Sequence, residues 1–221
     1  MSARQIAVGD IHGCVRTFRE LVRTKLNIQS GDQLILLGDL IDRGPDTKGV
    51  IDEIFALKSE GVRVHVLQGN HEELMIAAYY GVDQMEYWRR CGGQDTLNSF
   101  GVSSVLEIPI KYREFIQYSE MYFETPECIF VHAGLNFSKR DLFADLNAMR
   151  WIRKMEIDPE RIGYRKIVHG HTPRPYTEII KQNKYDINLD AGCAYTELPG
   201  MGYLVAYEVG TGEFTYVQNC E

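Results

Sequence analysis

No run of apolar residues in this 221-residue chain approaches the ~20 needed to cross a bilayer, so no membrane partner is expected. The start, Met1-Ser2-Ala3-Arg4-Gln5, passes straight into a strand pattern without a basic and apolar signal segment. There is no CxxC pair. The five cysteines (Cys14, Cys91, Cys128, Cys193, Cys220) are odd in number and widely spaced. That pattern predicts free thiols in a reducing, cytoplasmic setting rather than disulfides or a thiolate metal site. Positive charge is also scarce: a net charge of −7 lacks the basic footprint of a backbone binder and argues against nucleic acid as the main partner. Several catalytic signatures are missing. No GxSxG elbow occurs, and Gly44-Pro45-Asp46-Thr47-Lys48-Gly49 lacks the terminal Lys-Ser/Thr of a Walker loop. No cysteine precedes an arginine at the spacing of a cysteine-based phosphatase loop. With no linker and no internal repeat, one domain spanning residues 1–221 is expected.

What is present is organised around Leu34 to Pro45. Leu34, Ile35, Leu36 and Leu37 form a buried-strand signal too short for a helix, and Gly38 ends it. Asp39 follows where a strand would leave a sheet, with Asp42 and Arg43 in the same tight loop before Gly44-Pro45. Two carboxylates and a guanidinium in one turn suit a cation and an anion together. Gln5 to Val8 and Val62 to Gln68 are similar strands, each followed by a helical pattern (Val15 to Leu26, Glu72 to Tyr80), so a parallel sheet with right-handed crossovers is predicted. Residues 81–119 read as a helical insertion or cap. Cys128 to Val131 and Lys166 to Val168 resume the strand pattern around a stretch, to about Ile157, expected to be mostly helical. In the tail, Glu178 to Lys181, Ile187 to Leu189, Leu204 to Val209 and Phe214 to Gln218 predict a second, mainly antiparallel sheet packed on the first. Gly210-Thr211-Gly212 marks a hairpin. The fold class is α/β.

Five of these strands end in a metal-capable residue beside a glycine: Asp10, Asp39, Asn70, His132 and His171. In open α/β sheets ligands bind at the carboxyl ends of strands, so the five can converge on one edge. His12, two residues after Asp10, adds an imidazole. Oxygen and imidazole donors without thiolate suit manganese, iron, zinc or similar ions. Six side chains exceed what one ion needs. Two ions sharing a carboxylate fit better and serve phosphoryl displacement, with Asp39 the bridging candidate on the central strand.

In order, Gly9-Asp10-Ile11-His12-Gly13, Gly38-Asp39-Leu40-Ile41-Asp42-Arg43-Gly44-Pro45, Gly69-Asn70-His71-Glu72, His132-Ala133-Gly134 and His169-Gly170-His171-Thr172 resemble the calcineurin-like metallophosphoesterases. More narrowly, they are similar to the bacterial and phage members of the phosphoprotein phosphatase family, from Val8 to about Ala191. The resemblance implies two packed mixed β-sheets flanked by helices, with a small helical cap and two divalent metal ions, manganese first and iron, zinc or nickel as alternatives. By the same resemblance one metal would take Asp10, His12 and Asp39, and the other Asp39, Asn70, His132 and His171. His71 would be the general acid, held by Asp42, with Arg43 and Arg153 gripping the substrate phosphate. The implied reaction is hydrolysis of a phosphomonoester by metal-activated hydroxide, the partner being a phosphorylated protein or a small phosphoester. One departure is Gln68, where related protein phosphatases often carry arginine. In the sister branch that cleaves diadenosine polyphosphates, alanine often stands at the position of Asp42, and GNHD replaces GNHE. Asp42 and Glu72 therefore favour a serine/threonine protein phosphatase, with a diadenosine polyphosphate hydrolase as the alternative. A non-catalytic module that binds phosphorylated partners is the second alternative, opposed by the full ligand set.

Other residues carry plainer expectations. His65, inside a strand, reads as structural, and His169 either as a group orienting His171, slightly favoured, or as a packed histidine. Arg89 and Arg90 read as a solvated helix face, and Tyr79, Tyr80, Tyr87 and Trp88 as packing within the insertion. Neither the native metal nor the oligomeric state follows from the residues.

Overall fold

The computed structural model describes residues 3–182 and 184–221. Three short strands, β1 (Gln5–Val8), β2 (Gln33–Leu36) and β3 (Arg63–Val66), pair in parallel, each followed by a helix: α1 (Val15–Arg19), α2 (Thr47–Ser59) and α3 (Asn70–Ala77). Helix α1 passes directly into a wider π turn over Glu20–Lys25. Residues 81–119 carry α4 (Val82–Trp88), α5 (Gln94–Phe100) and α6 (Ile110–Gln117). A second sheet follows in the order β4 (Tyr122–Glu124), β5 (Cys128–Val131), β6 (Lys166–His169), β7 (Asp186–Asn188), parallel except for the β4–β5 pair. Helices α7 (Leu146–Trp151) and α8 (Tyr176–Ile179) are short. The strands β8 (Asp190–Ala191), β9 (Tyr203–Glu208) and β10 (Phe214–Gln218) complete the first sheet, which runs β10-β9-β1-β2-β3 with β8 beside β9.

The apolar runs of β1, β2 and β5 make sense because these strands are buried on both faces, which calls for continuous rather than alternating hydrophobicity. Alternation survives only as a division between two cores. Ile6, Val8, Leu34 and Leu36 pack on the helices with Phe18, Leu21 and Ile54, while Ala7, Ile35 and Leu37 face Phe130 and Val168 of the second sheet. On the far side of that sheet Ile129, Val131 and Ile167 pack under Leu135 and Met149. The result is two mixed sheets sandwiched between helices.

Three expectations need correction. Glu178 to Lys181 is not a strand: it lies in α8 and the turn after it. The tail does not build one antiparallel sheet. β7 joins the second sheet in parallel, whereas β9 and β10 extend the first by pairing with β1. Local pattern cannot choose between these edges, because β9 presents apolar residues to both cores, Leu204 and Ala206 to one and Val205 and Tyr207 to the other. Finally, the stretch to Ile157 is mostly irregular, with α7 its one helix among the described residues. Side chains there bond their own backbone: Ser138 N–H and Phe143 N–H donate to Asn136 and Asp141 oxygens at 3.1 and 2.9 Å. Such contacts compete with a helical ladder.

One tie fixes the start of the first sheet. Asp32, 6% exposed, accepts hydrogen bonds from Arg4 Nη2 at 2.6 Å, Arg4 N at 3.1 Å and Gln29 N at 3.0 Å. Burial alone would raise its carboxyl, but bonds from Arg4 and Gln29 outweigh that and hold it below the ordinary carboxylate range. The stabilisation is present above that range and is lost as pH falls through the lowered value. Asp32→Asn is expected to cost about 1–2 kcal/mol near neutral pH. Urea unfolding should show the gap narrowing as pH falls through the ordinary carboxylate range and closing only below the lowered Asp32 value, where both states carry a proton; a gap independent of pH would make Asp32 a packing residue.

Candidate metal centre

The carboxyl ends of strands from both sheets open onto one edge. β1 delivers Asp10 and His12, β2 delivers Asp39, Asp42 and Arg43, and the loop after β3 delivers Asn70 and His71 at the start of α3. β5 and β6 of the second sheet deliver His132 and His171. All but Arg43 are at least 94% buried. The backbone is strained to do this. Among the described residues seven non-glycine residues adopt positive φ, and five are here: His12 (48°), Asp39 (47°), Asp42 (71°), Arg43 (69°) and His171 (67°). Each such conformation costs on the order of 1–2 kcal/mol and persists only where surrounding contacts impose it. Glu72 supplies part of that force, its buried carboxylate accepting bonds from Asp39 N (2.8 Å), Leu40 N (2.9 Å) and Gly69 N (2.8 Å). Two glycines allow the closest approaches. A Cβ on Gly69 would stand 2.2 Å from Asp39 Oδ1, and one on Gly170 would stand 2.0 Å from Asp10 Oδ1.

Asp39 is central. Its Oδ2 lies 3.6 Å from His12 Nε2 and its Oδ1 lies 3.5 Å from His132 Nε2. Two donor clusters share it: His12, Asp39 and His71, and Asp39, His132 and His171, each with ligand atoms within 4.8 Å of one another. Asn70 belongs to the second cluster, with its Oδ1 3.0 Å from His132 Nε2 and 2.9 Å from His171 Nδ1. Asp10 turns toward the backbone of His171, whose N–H it accepts at 3.1 Å. The structure therefore gathers all six candidate ligands at one edge, with Asp10 outside the two tight clusters.

The tautomers show what the donors require. Leu37 O and Ile41 O, 2.8 Å from the Nδ1 atoms of His132 and His12, can only accept, so both protons sit on Nδ1 and both Nε2 atoms are bare. His132 Nε2 then faces another acceptor, the Asn70 oxygen, and buried His171 Nε2 has no hydrogen-bond partner. Burial pushes His12, His132 and His171 down, the last to about 3, so these rings are neutral at physiological pH. Burial and the charges of Asp190 and Asp39 push the Asp10 carboxyl well up. The bare Nε2 atoms of His132 and His171 beside the crowded carboxylates of Asp10, Asp39 and Asp190 fit divalent metal ions.

His71 differs. Its Nδ1 is 2.7 Å from Asp42 Oδ2, and although burial pulls the ring down, the charges of Asp39 and Asp42 prevail and raise it above the ordinary histidine value. Arg43 donates to His12 Nε2 at 2.6 Å and stacks its guanidinium on the Tyr195 ring, 5.2 Å from the centroid. Both line a cavity of about 180 Å³ with Arg153, His71, His171 and Pro173. Arg150 is engaged elsewhere, by Gln68 at 2.7 Å and Glu73 at 2.6 Å.

Several residues were not anticipated. Asp190 is a sixth strand-end position near a glycine and the third with an acid, pushed up to about 7 by burial and neighbouring Asp39, against a bond from Gly192 N. Its sequence, Asp190-Ala191-Gly192, carries nearly the same signature as the other five. Tyr195 has no such signal. One reading is corrected and one extended. His169 does not orient His171: its Nε2 bonds Asp186 at 2.7 Å, because its ring turns along β6 toward β7. Trp88 is packed within the insertion, but its indole N–H also reaches the Asp42 carboxylate at 2.9 Å. His65 bonds Gln33 and stacks on Phe123 away from the site, and Arg89 pairs with Glu86 on the surface.

Known proteins share this fold. A solved protein serine/threonine phosphatase from Saccharomyces cerevisiae superposes with a TM-score of 0.69 at 14% identity, over 100% of this chain and 81% of that one. In sequence, the chain is 26% identical to the asymmetrical bis(5'-nucleosyl)-tetraphosphatase PrpE of Oceanobacillus iheyensis, over 95% of this chain and 90% of that relative. It is 36% identical to a symmetrical bis(5'-nucleosyl)-tetraphosphatase of Buchnera aphidicola, but only over 35% of this chain and 27% of that relative's length. The likeness to that phosphatase shows the fold alone, whereas these sequence relatives carry the name of the alternative. Residues 3–205 match the calcineurin-like phosphoesterases as a family. With its metal-fitting edge at the carboxyl ends of two packed sheets, the chain belongs to the calcineurin-like phosphoesterase family.

Proposed function

We propose that this chain is a two-metal phosphohydrolase that cleaves a phosphoanhydride of dinucleoside polyphosphates. The observation that carries the substrate class is the end-to-end correspondence with PrpE, over 95% of this chain and 90% of the relative. One cation would be held by Asp10, His12 and Asp39, the other by Asp39, Asn70, His132 and His171, with manganese the first candidate. When bound, such a pair activates water and neutralises charge on the phosphoryl oxygens. The protein's own residues do the rest. Arg43 and Arg153 line the cavity and bind phosphoryl oxygens; two arginines suit a chain of phosphates. The contacts that impose positive φ on Asp39 and His171 hold the donors in place before substrate arrives. His71 keeps its Nδ1 proton on Asp42 and presents Nε2, which gives a proton to the leaving oxygen. A cytoplasmic location is proposed from the cysteine pattern alone.

A second reading, hydrolysis of phosphoserine or phosphothreonine in proteins, is favoured by the Asp42–His71 pair at 2.7 Å. A serine or threonine alkoxide depends on that proton far more than a nucleotide's phosphate does. Glu72 does not discriminate, since it clamps backbone N–H groups that either substrate would need in place. The test is a panel of diadenosine tetraphosphate and phosphoserine peptides with defined metals. The dinucleotide is expected to lead in kcat/KM by tenfold or more, about 1.4 kcal/mol. A tenfold lead for the peptide would replace this reading by the second.

A further inference from the structure

The insertion over residues 81–119 closes against one side of the loop that carries Asp42 and Arg43. Asp42, Trp88 and Thr96 are all 0% exposed. The Trp88 indole N–H spans the Asp42 carboxylate, 2.9 Å from Oδ2 and 3.2 Å from Oδ1, and Thr96 Oγ1 lies 2.7 Å from Oδ1. Hydrogen counting fixes the directions. The carboxylate only accepts, so Thr96 spends its one proton on Oδ1. The Thr96 oxygen then accepts from Asp42 N at 3.0 Å and from Thr47 Oγ1 at 3.0 Å. With His71 Nδ1 on Oδ2 at 2.7 Å, the carboxylate has a side-chain donor on every flank, two of them from the insertion. Packing reinforces this. Gly92 O accepts from Arg43 N at 3.3 Å, and a Cβ on Gly92 would stand 3.2 Å from Asp42 Cβ. Gly93 lies flat on the Trp88 ring, where a Cβ would approach to 2.4 Å.

We propose that Trp88 and Thr96 are positioning residues that aim the Asp42 carboxylate, and through it the His71 ring, at the leaving group. The insertion is then a rigid back wall for the proton donor, which the strand-end loops alone do not supply. This rests on the reading of His71 as general acid. A carboxylate held only by His71 could rotate about its χ angles, and His71 Nε2 would lose its direction. The loss should grow with the need of the leaving oxygen for a proton.

The experiment compares phenyl phosphate, a poor leaving group, with p-nitrophenyl phosphate, a good one, on the metal-loaded full chain. Trp88→Phe keeps an aromatic ring against Gly93 and deletes the N–H; Thr96→Val keeps the shape and deletes the hydroxyl. Each is expected to lower kcat on phenyl phosphate by about tenfold, within the reach of general acid catalysis, and on p-nitrophenyl phosphate by less than about threefold. Thr96→Ser should restore both, and metal content and thermal melting should match the parent. His71→Asn is run alongside. If it shows the leaving-group split and Trp88→Phe and Thr96→Val do not, the positioning role is overturned while the general acid stands. If His71→Asn shows no split, the general-acid reading falls and the positioning role falls with it. Should Trp88→Phe fail to fold, Thr96→Val and Thr96→Ser decide.

Discussion

Asp39→Asn is expected to lower kcat/KM by about 10³-fold or more, some 4 kcal/mol of transition-state stabilisation, and to reduce bound metal below two ions per chain. Asp39 is the residue both donor clusters share, its two oxygens facing His12 and His132 at 3.6 and 3.5 Å. Asparagine keeps the volume and tolerates the left-handed φ of 47° better than most residues, so the backbone should not move. What it removes is one negative charge and one acceptor oxygen from a site crowded with bare imidazole nitrogens. Metal content by mass spectrometry and turnover measured on the same sample check this together. Stripping the parent protein with excess chelator should abolish turnover, and Mn²⁺ should restore it. Undiminished activity after complete metal removal would end the two-metal account.

For His71→Asn the expected loss depends on the substrate. It should reach about 10²-fold on phenyl phosphate and stay below about tenfold on p-nitrophenyl phosphate, whose anion leaves unassisted. Metal content is expected to remain at the parent level. His71 is the one histidine of the site raised by its surroundings, through Asp39 and Asp42 against burial, while His12, His132 and His171 are lowered. The same edge thus separates lone-pair donors from a proton carrier. Equal losses on both substrates would make His71 a binding residue, and loss of metal would make it a ligand, which its place in the cluster with His12 and Asp39 also permits geometrically.

Much of this was legible before any coordinates. A short strand followed by an acid, amide or histidine with a glycine beside it or two residues on is a local pattern, and it recurs at Asp10, Asp39, Asn70, His132 and His171. Parallel strands with crossover helices put such positions on one edge, which is why a linear reading could anticipate a convergent site. The same rule applied once more reaches Asp190. It fails at Tyr195 and Arg150, whose relations to Arg43 and Gln68 leave no mark in nearby residues. Composition was also silent on strain: five site residues themselves carry positive φ. That cost is met by long-range bonds such as those of Glu72.

By itself, then, the sequence determined the three opening strand–helix units, the six candidate ligands and the pairing of Asp42 with His71, because each depends on local pattern or on a motif. Only the tertiary structure decided that β9 and β10 close the first sheet, that His169 turns to Asp186, and that Trp88 and Thr96 grip Asp42. Those last two contacts bridge 46 and 54 residues of chain. Partners so distant are chosen by which buried polar atoms remain to be satisfied once the cores have packed, and no local periodicity encodes that choice.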